Sequence, residues 1–279
     1  MNVVKAEYAG ACYGVQRALD IALKAAHSSE TAHTLGPLIH NPLVVRELAD
    51  SGVDEIASVD EIAPGDTVII RSHGVTPQVM RDVEAKTPHV LDATCPFVAA
   101  AQKAALMLAR KHGCVIVVGE EGHPEVEGLT ARANEADARV IVAATPDDLP
   151  DDVYGPVGIV VQTTQQRQAL DAVVCALRAR GIEPDVKNTI CTATSQRQEA
   201  AVNLASKVDA VVVIGGRNSS NTTRLASICK SACPRTYHIE SPDEINPAWF
   251  AGCETVGVTA GASTPETQIS AVIEKLELL

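Results

Sequence analysis

Aromatic side chains are scarce in this chain: two Phe, four Tyr and one Trp among 279 residues. Few rings are left to stack on bases, which counts against single-stranded nucleic acid as a ligand. Positive charge is also in short supply. Lys and Arg number 23 against 35 Asp and Glu, a formal charge of −12, whereas a nucleic-acid surface needs a basic face. No apolar run, of the kind Val115-Ile116-Val117-Val118, approaches the roughly 18 residues that span a bilayer. The start Met1-Asn2-Val3-Val4-Lys5 lacks the basic segment and apolar stretch of a secretion signal. The expectation is a cytoplasmic protein with no nucleic-acid partner and no membrane partner. An anionic small molecule stays allowed, provided the site brings its own donors.

Cysteine, by contrast, occurs eight times. Thiols stay reduced in the cytosol, so these residues read as ligands or packing rather than as disulfides. Three stand at strand-to-helix junctions: Ala11-Cys12-Tyr13-Gly14-Val15, Asp92-Ala93-Thr94-Cys95-Pro96 and Thr189-Ile190-Cys191-Thr192-Ala193. Their neighbourhoods repeat with them. A step of 83 residues carries Cys12 to Cys95, Gly36 to Gly119 and His40 to His123. A step of 96 carries Cys95 to Cys191, Gly119 to Gly215, His123 to Ser219 and Leu129 to Leu225. A repeat of this size is a whole βα module, not a solenoid rung. The chain therefore reads as three modules, 1–94, 95–190 and 191–279, each giving one cysteine and one polar loop.

Strands alternate with helices along each module, the pattern of parallel α/β sheets. Strands are expected over Val3–Tyr8, Thr67–Ile70, Val90-Leu91, Cys114–Val118, Arg139–Ala143, Val157–Val161, Ala210–Ile214 and Val256–Val258. Helices are expected over Gly14–Ala26, Leu43–Ala49 and Ser195–Lys207, after Thr76-Pro77, up to His112, through Leu170 to Leu177, and at the end of the chain. A second polar position follows a strand in each module, at His73, Thr163 and Ser263. Ligands of such sheets bind beyond the carboxyl ends of the strands, where helix N-termini suit a phosphate. Three like modules can close around a pseudo-threefold axis. The fold expected is α/β, a trefoil of mainly parallel sheets with the three cysteines at its centre.

Three soft thiolates suit an iron–sulfur cluster or zinc. Structural zinc sites pair cysteines at close spacing, and none of these three lies within 80 residues of another. The bland alternative for any one of them is a small core residue. That reading is kept for Cys114 and Cys175 in strand and helix cores, for Cys253, and for Cys229 and Cys233 at a helix end. Around the cysteines stand His40, His73, His123, Thr163, Ser219, Ser220, Asn221 and Ser263, all able to donate to an anion. Glu125 is the acid two residues past His123, and the step of 96 replaces it with Asn221. It reads as a proton source or as a first-turn acid stabilising a helix dipole.

These motifs, with Gly36-Pro37-Leu38-Ile39-His40-Asn41, Ser72-His73-Gly74, Gly122-His123-Pro124-Glu125-Val126-Glu127-Gly128, Gln162-Thr163-Thr164, Cys191-Thr192-Ala193-Thr194, Asn218-Ser219-Ser220-Asn221 and Val258-Thr259-Ala260-Gly261-Ala262-Ser263, carry a resemblance. Over essentially its whole length the chain resembles the LytB/IspH family of 4-hydroxy-3-methylbut-2-enyl diphosphate reductases. Ala11 departs from the pattern, since an aromatic often precedes the first cysteine; a local packing change is expected there. The resemblance implies one [4Fe–4S] cluster on Cys12, Cys95 and Cys191 with one iron open to substrate. It implies that His40, His73, His123, Ser219, Ser220, Asn221 and Ser263 hold an allylic diphosphate. It further implies that Glu125 supplies protons, that Thr163 orients or relays them, and that a ferredoxin or flavodoxin brings electrons. An iron–sulfur dehydratase and a cluster-based sensor protein are the rival readings.

Overall fold

A computed structural model describes residues 1–28 and 31–279. In chain order the elements are β1 (Asn2–Lys5), α1 (Tyr13–Ser28), β2 (Ala32–Leu35), α2 (Pro42–Asp50), β3 (Val53–Ile56), β4 (Thr67–Ile70), α3 (Pro77–Lys86), β5 (Val90–Asp92) and α4 (Pro96–His112). They continue as β6 (Cys114–Val118), α5 (Pro124–Asn134), β7 (Arg139–Ala143), β8 (Gly158–Val161), α6 (Arg167–Ala179) and β9 (Asp185–Lys187). Last come α7 (Thr192–Ala205), β10 (Ala210–Ile214), α8 (Ser220–Ala232), β11 (Thr236–Ile239), β12 (Thr255–Ala260) and α9 (Glu266–Glu277).

The strands form three four-stranded sheets, ordered β3-β2-β4-β5, β7-β6-β8-β9 and β1-β12-β10-β11. Every pairing is parallel. Read from the other edge, the last sheet has the same order of strand roles as the first two, so the repeat inferred from the cysteines is a repeat of topology. The central strands β4, β6, β8 and β10 are almost wholly buried, as parallel strands covered by helices on both faces must be. In the second sheet Ile116, Val118, Ile159 and Val161 face Leu170, Val173 and Leu177 of α6. Their alternating neighbours Val115, Val117 and Val160 face Ala101, Ala105 and Leu108 of α4. Period-two alternation thus serves two helical layers at once.

The chain divides into two compact units. One comprises Arg17–Leu38 and Glu47–Cys191 and holds the first two sheets; the other comprises Met1–Gln16, Ile39–Arg46 and Thr192–Leu279 and holds the third. The N-terminal strand is the departure from the sequence reading. Placed there with the first module, β1 in fact pairs with β12, Val3 opposite Val256 and Lys5 opposite Val258. It fills in the third sheet the place that β5 and β9 fill in the others. It is also shorter than the expected Val3–Tyr8.

Four strands, β2, β3, β9 and β11, were not foreseen. They have three or four residues each, and polar side chains such as His33, Asp54, Asp185 and His238 break their apolar pattern. A second repeat was also overlooked. Ser58-Val59-Asp60-Glu61, Thr145-Pro146-Asp147-Asp148 and Ser241-Pro242-Asp243-Glu244 each form a short 3-10 turn closed by a capping box. A Ser or Thr followed three residues later by an acid is the signature that would have found them.

Close packing between α4 and the second sheet needs Gly158. A Cβ there would lie 2.6 Å from Leu108 Cβ, an atom with no rotamer to escape into. Gly158→Ala is expected to cost about 1–3 kcal/mol of stability, read by chemical denaturation. Leu108→Ala keeps that Cβ but removes the Cγ and Cδ2 that the new methyl would also meet, each at 3.1 Å, so the double variant should cost somewhat less than the two changes summed; simple additivity would show that α4 and β8 do not meet as described.

Candidate active site

Sheet register fixes which residues are equivalent. Leu35 pairs with Ile70, Val118 with Val161 and Ile214 with Ala260. Counting on from these strand ends, Gly36, Gly119 and Gly215 are equivalent, and so are His40, His123 and Ser219. The same count makes His73 equivalent to Thr164 and Ser263. The sequence match of His73 with Thr163 is therefore one residue out, and Thr163 corresponds to Ser72 and Ala262. A backbone hydrogen bond repeats on that corrected register. Cys95 N–H donates to the Ser72 carbonyl at 2.9 Å, Cys191 N–H to Thr163 at 3.0 Å, and Cys12 N–H to Ala262 at 3.1 Å.

Each of these cysteines stands immediately before a helix, α1, α4 or α7. All eight cysteines are free thiols, and Cys12, Cys95 and Cys191 are partly exposed. Cys229 and Cys233 differ in being buried in the core against Ala201, Val211, Val213 and Leu225. Burial, with the Cys233 thiol nearby, pushes the Cys229 thiol up to about 12, so it remains protonated. Cys175 is a correction: it lies exposed on α6 rather than in a helix core, because the buried face of that helix is filled by Leu170, Val173, Val174 and Leu177.

In the larger unit, Glu125 opens α5 and is 1% exposed. Its Oε1 accepts the Thr163 backbone N–H at 2.6 Å and its Oε2 accepts the Thr163 hydroxyl at 2.9 Å. The carboxyl group is thus buried and anchored across to the loop after β8. His123 caps the same helix, its Nδ1 accepting the Glu125 N–H at 3.1 Å. In the neutral ring that leaves the proton on Nε2, a donor. The His73 ring meets His123 edge-on, with centroids 5.5 Å apart. Two polar residues that sequence reading passed over support this group. Arg17 donates to the Thr94 and Asp92 carbonyls, both at 3.1 Å, holding the loop ahead of Cys95. The buried side chain of Gln102 lies against Gly74 and Gly128, where any Cβ would crowd its Nε2 at 3.0 and 2.8 Å.

In the smaller unit, Ser219 caps α8 by accepting the Thr222 N–H at 3.3 Å, and Ser220 is the first residue of that helix. Asn221 follows, 6% exposed, with neither its Oδ1 nor its Nδ2 hydrogen-bonded. A buried amide without partners is costly, and a bound anion beside a helix N-terminus is the usual remedy. Ser263 Oγ donates to the His40 carbonyl at 3.1 Å. Asn41 fixes the same loop pair, its Nδ2 donating to the Ser263 carbonyl at 2.8 Å while its Oδ1 accepts the Leu43 N–H at 3.2 Å. Asn41 was visible in its motif without a role. Arg197, buried on α7, donates through Nε and Nη2 to the Gly10 carbonyl at 3.1 and 2.6 Å. It steadies the turn at Gly10, whose φ of +91° favours glycine, two residues ahead of Cys12. An Arg five or six residues beyond a junction cysteine was the signal for Arg17 and Arg197.

The thiols, the uncapped amide and the buried acid can be set beside known proteins. A profile of the family described as LytB protein matches residues 3–277. A relative from Geobacter sp. (strain M21), named 4-hydroxy-3-methylbut-2-enyl diphosphate reductase, is 45% identical over 282 residues, covering 100% of this chain and 98% of its own. One of the same name from Trichlorobacter lovleyi is 46% identical over 278 residues, covering 99% and 98%. A solved structure of (E)-4-hydroxy-3-methyl-but-2-enyl diphosphate reductase, described as the terminal enzyme of the non-mevalonate pathway, matches with TM-score 0.74 and 42% identity over the full length of both chains. The Plasmodium falciparum reductase structure shares the fold, with TM-score 0.89 at 23% identity, over 98% of this chain and 87% of that one. On a match from end to end, the chain belongs to the LytB protein family.

Proposed function

We propose that this chain reductively removes the allylic hydroxyl of (E)-4-hydroxy-3-methylbut-2-enyl diphosphate. Two electrons and two protons replace the C–O bond by C–H and release water, giving isopentenyl and dimethylallyl diphosphates, the last step of the non-mevalonate isoprenoid route. The observation that carries the reading is the full-length identity of 45% to reductases of that name, joined to a buried acid fixed by two hydrogen bonds at the head of a helix. Free thiols and the absence of any membrane-spanning helix among the described residues support work in the cytoplasm, with a ferredoxin or flavodoxin as electron donor.

Cys12, Cys95 and Cys191 would hold the cofactor. The donor set fits one: three thiols outside any disulfide, each partly exposed and each at a helix N-terminus. When bound, a [4Fe–4S] cluster with three protein ligands supplies electron storage and one open iron of Lewis-acid character. The rest falls to the side chains. His40, His73, His123, Ser219, Ser220, Asn221 and Ser263 bind the diphosphate, neutral donors doing what a chain of net charge −12 has few cations to do. Glu125 delivers protons. With Oε1 committed to the Thr163 N–H, Oε2 is the oxygen that takes and gives a proton, and the Thr163 hydroxyl beside it is the group that relays it.

Three outcomes test this. Glu125→Gln keeps the size and the bond to the Thr163 N–H but delivers no proton; turnover with reduced methyl viologen should fall by about 10²–10⁴. A variant that melts slightly early yet turns over normally would return Glu125 to a helix-dipole role. Asn221→Ala deletes an amide with no protein partner, so the melting curve should hold while diphosphate affinity drops roughly tenfold or more; unchanged affinity would place the anion elsewhere. Finally, Ser at Cys12, Cys95 or Cys191 should abolish or severely weaken iron binding, whereas Cys175→Ser should spare it. Full iron and sulfide with normal activity in Cys191→Ser would overturn the ligand assignment.

A further inference from the structure

The proposed reaction consumes two electrons that must arrive from another protein, and the structure offers a landing place for it. Helix α4 follows directly on Cys95 and runs for 17 residues without one Asp or Glu, about 25 Å of helix at 1.5 Å per residue. Its outward stripe reads Phe97, Ala100, Lys103, Met107, Arg110 and Lys111, all exposed. Phe97 and Met107 leave 46% and 47% of their surface in solvent. Lys103 and Arg110 have no ion-pair partner among the described residues. Lys111 and His112 differ: both bond Asp185, at 2.7 and 3.0 Å, and hold its carboxyl down to about 2. A hollow of about 360 Å³ lies over Lys103, Leu106, Met107, Arg110 and Lys111. A second of about 250 Å³ adjoins it through Lys103 and Leu106 and reaches Thr94, next to Cys95.

Cations in the last turn of a helix complement its dipole, which accounts for Arg110, Lys111 and His112. It does not account for Lys103 in mid-helix, nor for an exposed Phe and Met in the same stripe. Aromatic, Met and Arg side chains are what protein interfaces enrich. A basic face whose helix carries no acid of its own, on a chain of net charge −12, attracts a partner of opposite sign. It would repel its own image, so a two-fold pairing of this face with itself is disfavoured. Small, steered, salt-sensitive contacts are also the mode of electron-transfer encounters.

We infer that the exposed face of α4, from Phe97 to Lys111, is the docking surface for a small acidic electron-carrier protein, which it seats at the Cys95 end of the helix. The inference rests on the function proposed above. Each carrier arrives reduced, gives up one electron and leaves oxidised. Two visits supply the two electrons that, with two protons, turn C–OH into C–H and water.

The test uses the cluster-loaded enzyme and a flavodoxin whose flavin fluorescence reports binding. Wild-type protein should bind it saturably, less tightly as salt rises over the Debye range. Lys103→Glu with Arg110→Glu should weaken binding by about tenfold or more, and Phe97→Ala should weaken it at every salt concentration. Turnover driven by methyl viologen, which needs no docking face, should stay at the wild-type rate in all of them. Equal flavodoxin affinity in the charge-reversed protein overturns the inference, as does no saturable binding by wild type at low salt. A charge reversal that changes the oligomeric state by light scattering, or that abolishes binding to anionic vesicles while sparing flavodoxin, also overturns it by giving the face to another occupant. Failure of the function itself looks different: wild type would then bind flavodoxin but show no viologen-driven turnover.

Discussion

One backbone hydrogen bond, made three times, sets up the chemistry of this protein. Each junction cysteine gives its N–H to the carbonyl of the loop after the neighbouring third strand, at Ser72, Thr163 and Ala262. Parallel pairing makes that possible, because it brings every strand of a sheet to the same edge carboxyl end first. The bond then fixes how far each thiol stands from the polar residue that follows the bonded carbonyl: His73, Thr164 and Ser263. Arg17 and Arg197 reinforce the turns ahead of Cys95 and Cys12 by gripping carbonyls rather than carboxylates.

The acidic composition shapes the rest. With 35 acids against 23 bases, the chain has no Lys or Arg among the residues proposed for the diphosphate. The donors at hand are instead imidazole, hydroxyl and amide groups, with helix N-termini such as that of α8 behind them. Neutral donors suit a site whose substrate must also leave as a diphosphate product. The buried acid follows the same economy. Glu125 receives two hydrogen bonds from a single residue, so one threonine orients the carboxyl group and, in the proposed mechanism, would give its proton a path.

How much of this was legible depends on what kind of signal each feature leaves. Cys12, Cys95 and Cys191, with Gly36 and His40 and their counterparts, could be aligned because whole loops recur at fixed offsets. The α/β class followed from long apolar strands such as β6 and β10. Short strands were lost, at a sheet edge in Asp185-Val186-Lys187 and inside a sheet in Ala32-His33-Thr34-Leu35: polar residues interrupt their apolar pattern, and three or four residues carry no period. β1 was misplaced because pairing partners 250 residues apart leave no local trace. The slip of one residue between His73 and Thr163 has the same origin, since only strand register decides it. Arg17, Arg197 and Gln102 were passed over because their partners are backbone atoms and glycines, and only the place of the two arginines, five and six residues beyond a junction cysteine, hints at them.

The central claim is that Cys12, Cys95 and Cys191 jointly hold one iron–sulfur cluster, and it is tested most directly by analysing the chain purified without oxygen. About four iron and four acid-labile sulfide per chain are expected, with all three thiols protected from alkylation until the metal is removed. A single zinc without sulfide, or three thiols that alkylate freely in the metal-loaded protein, would contradict it.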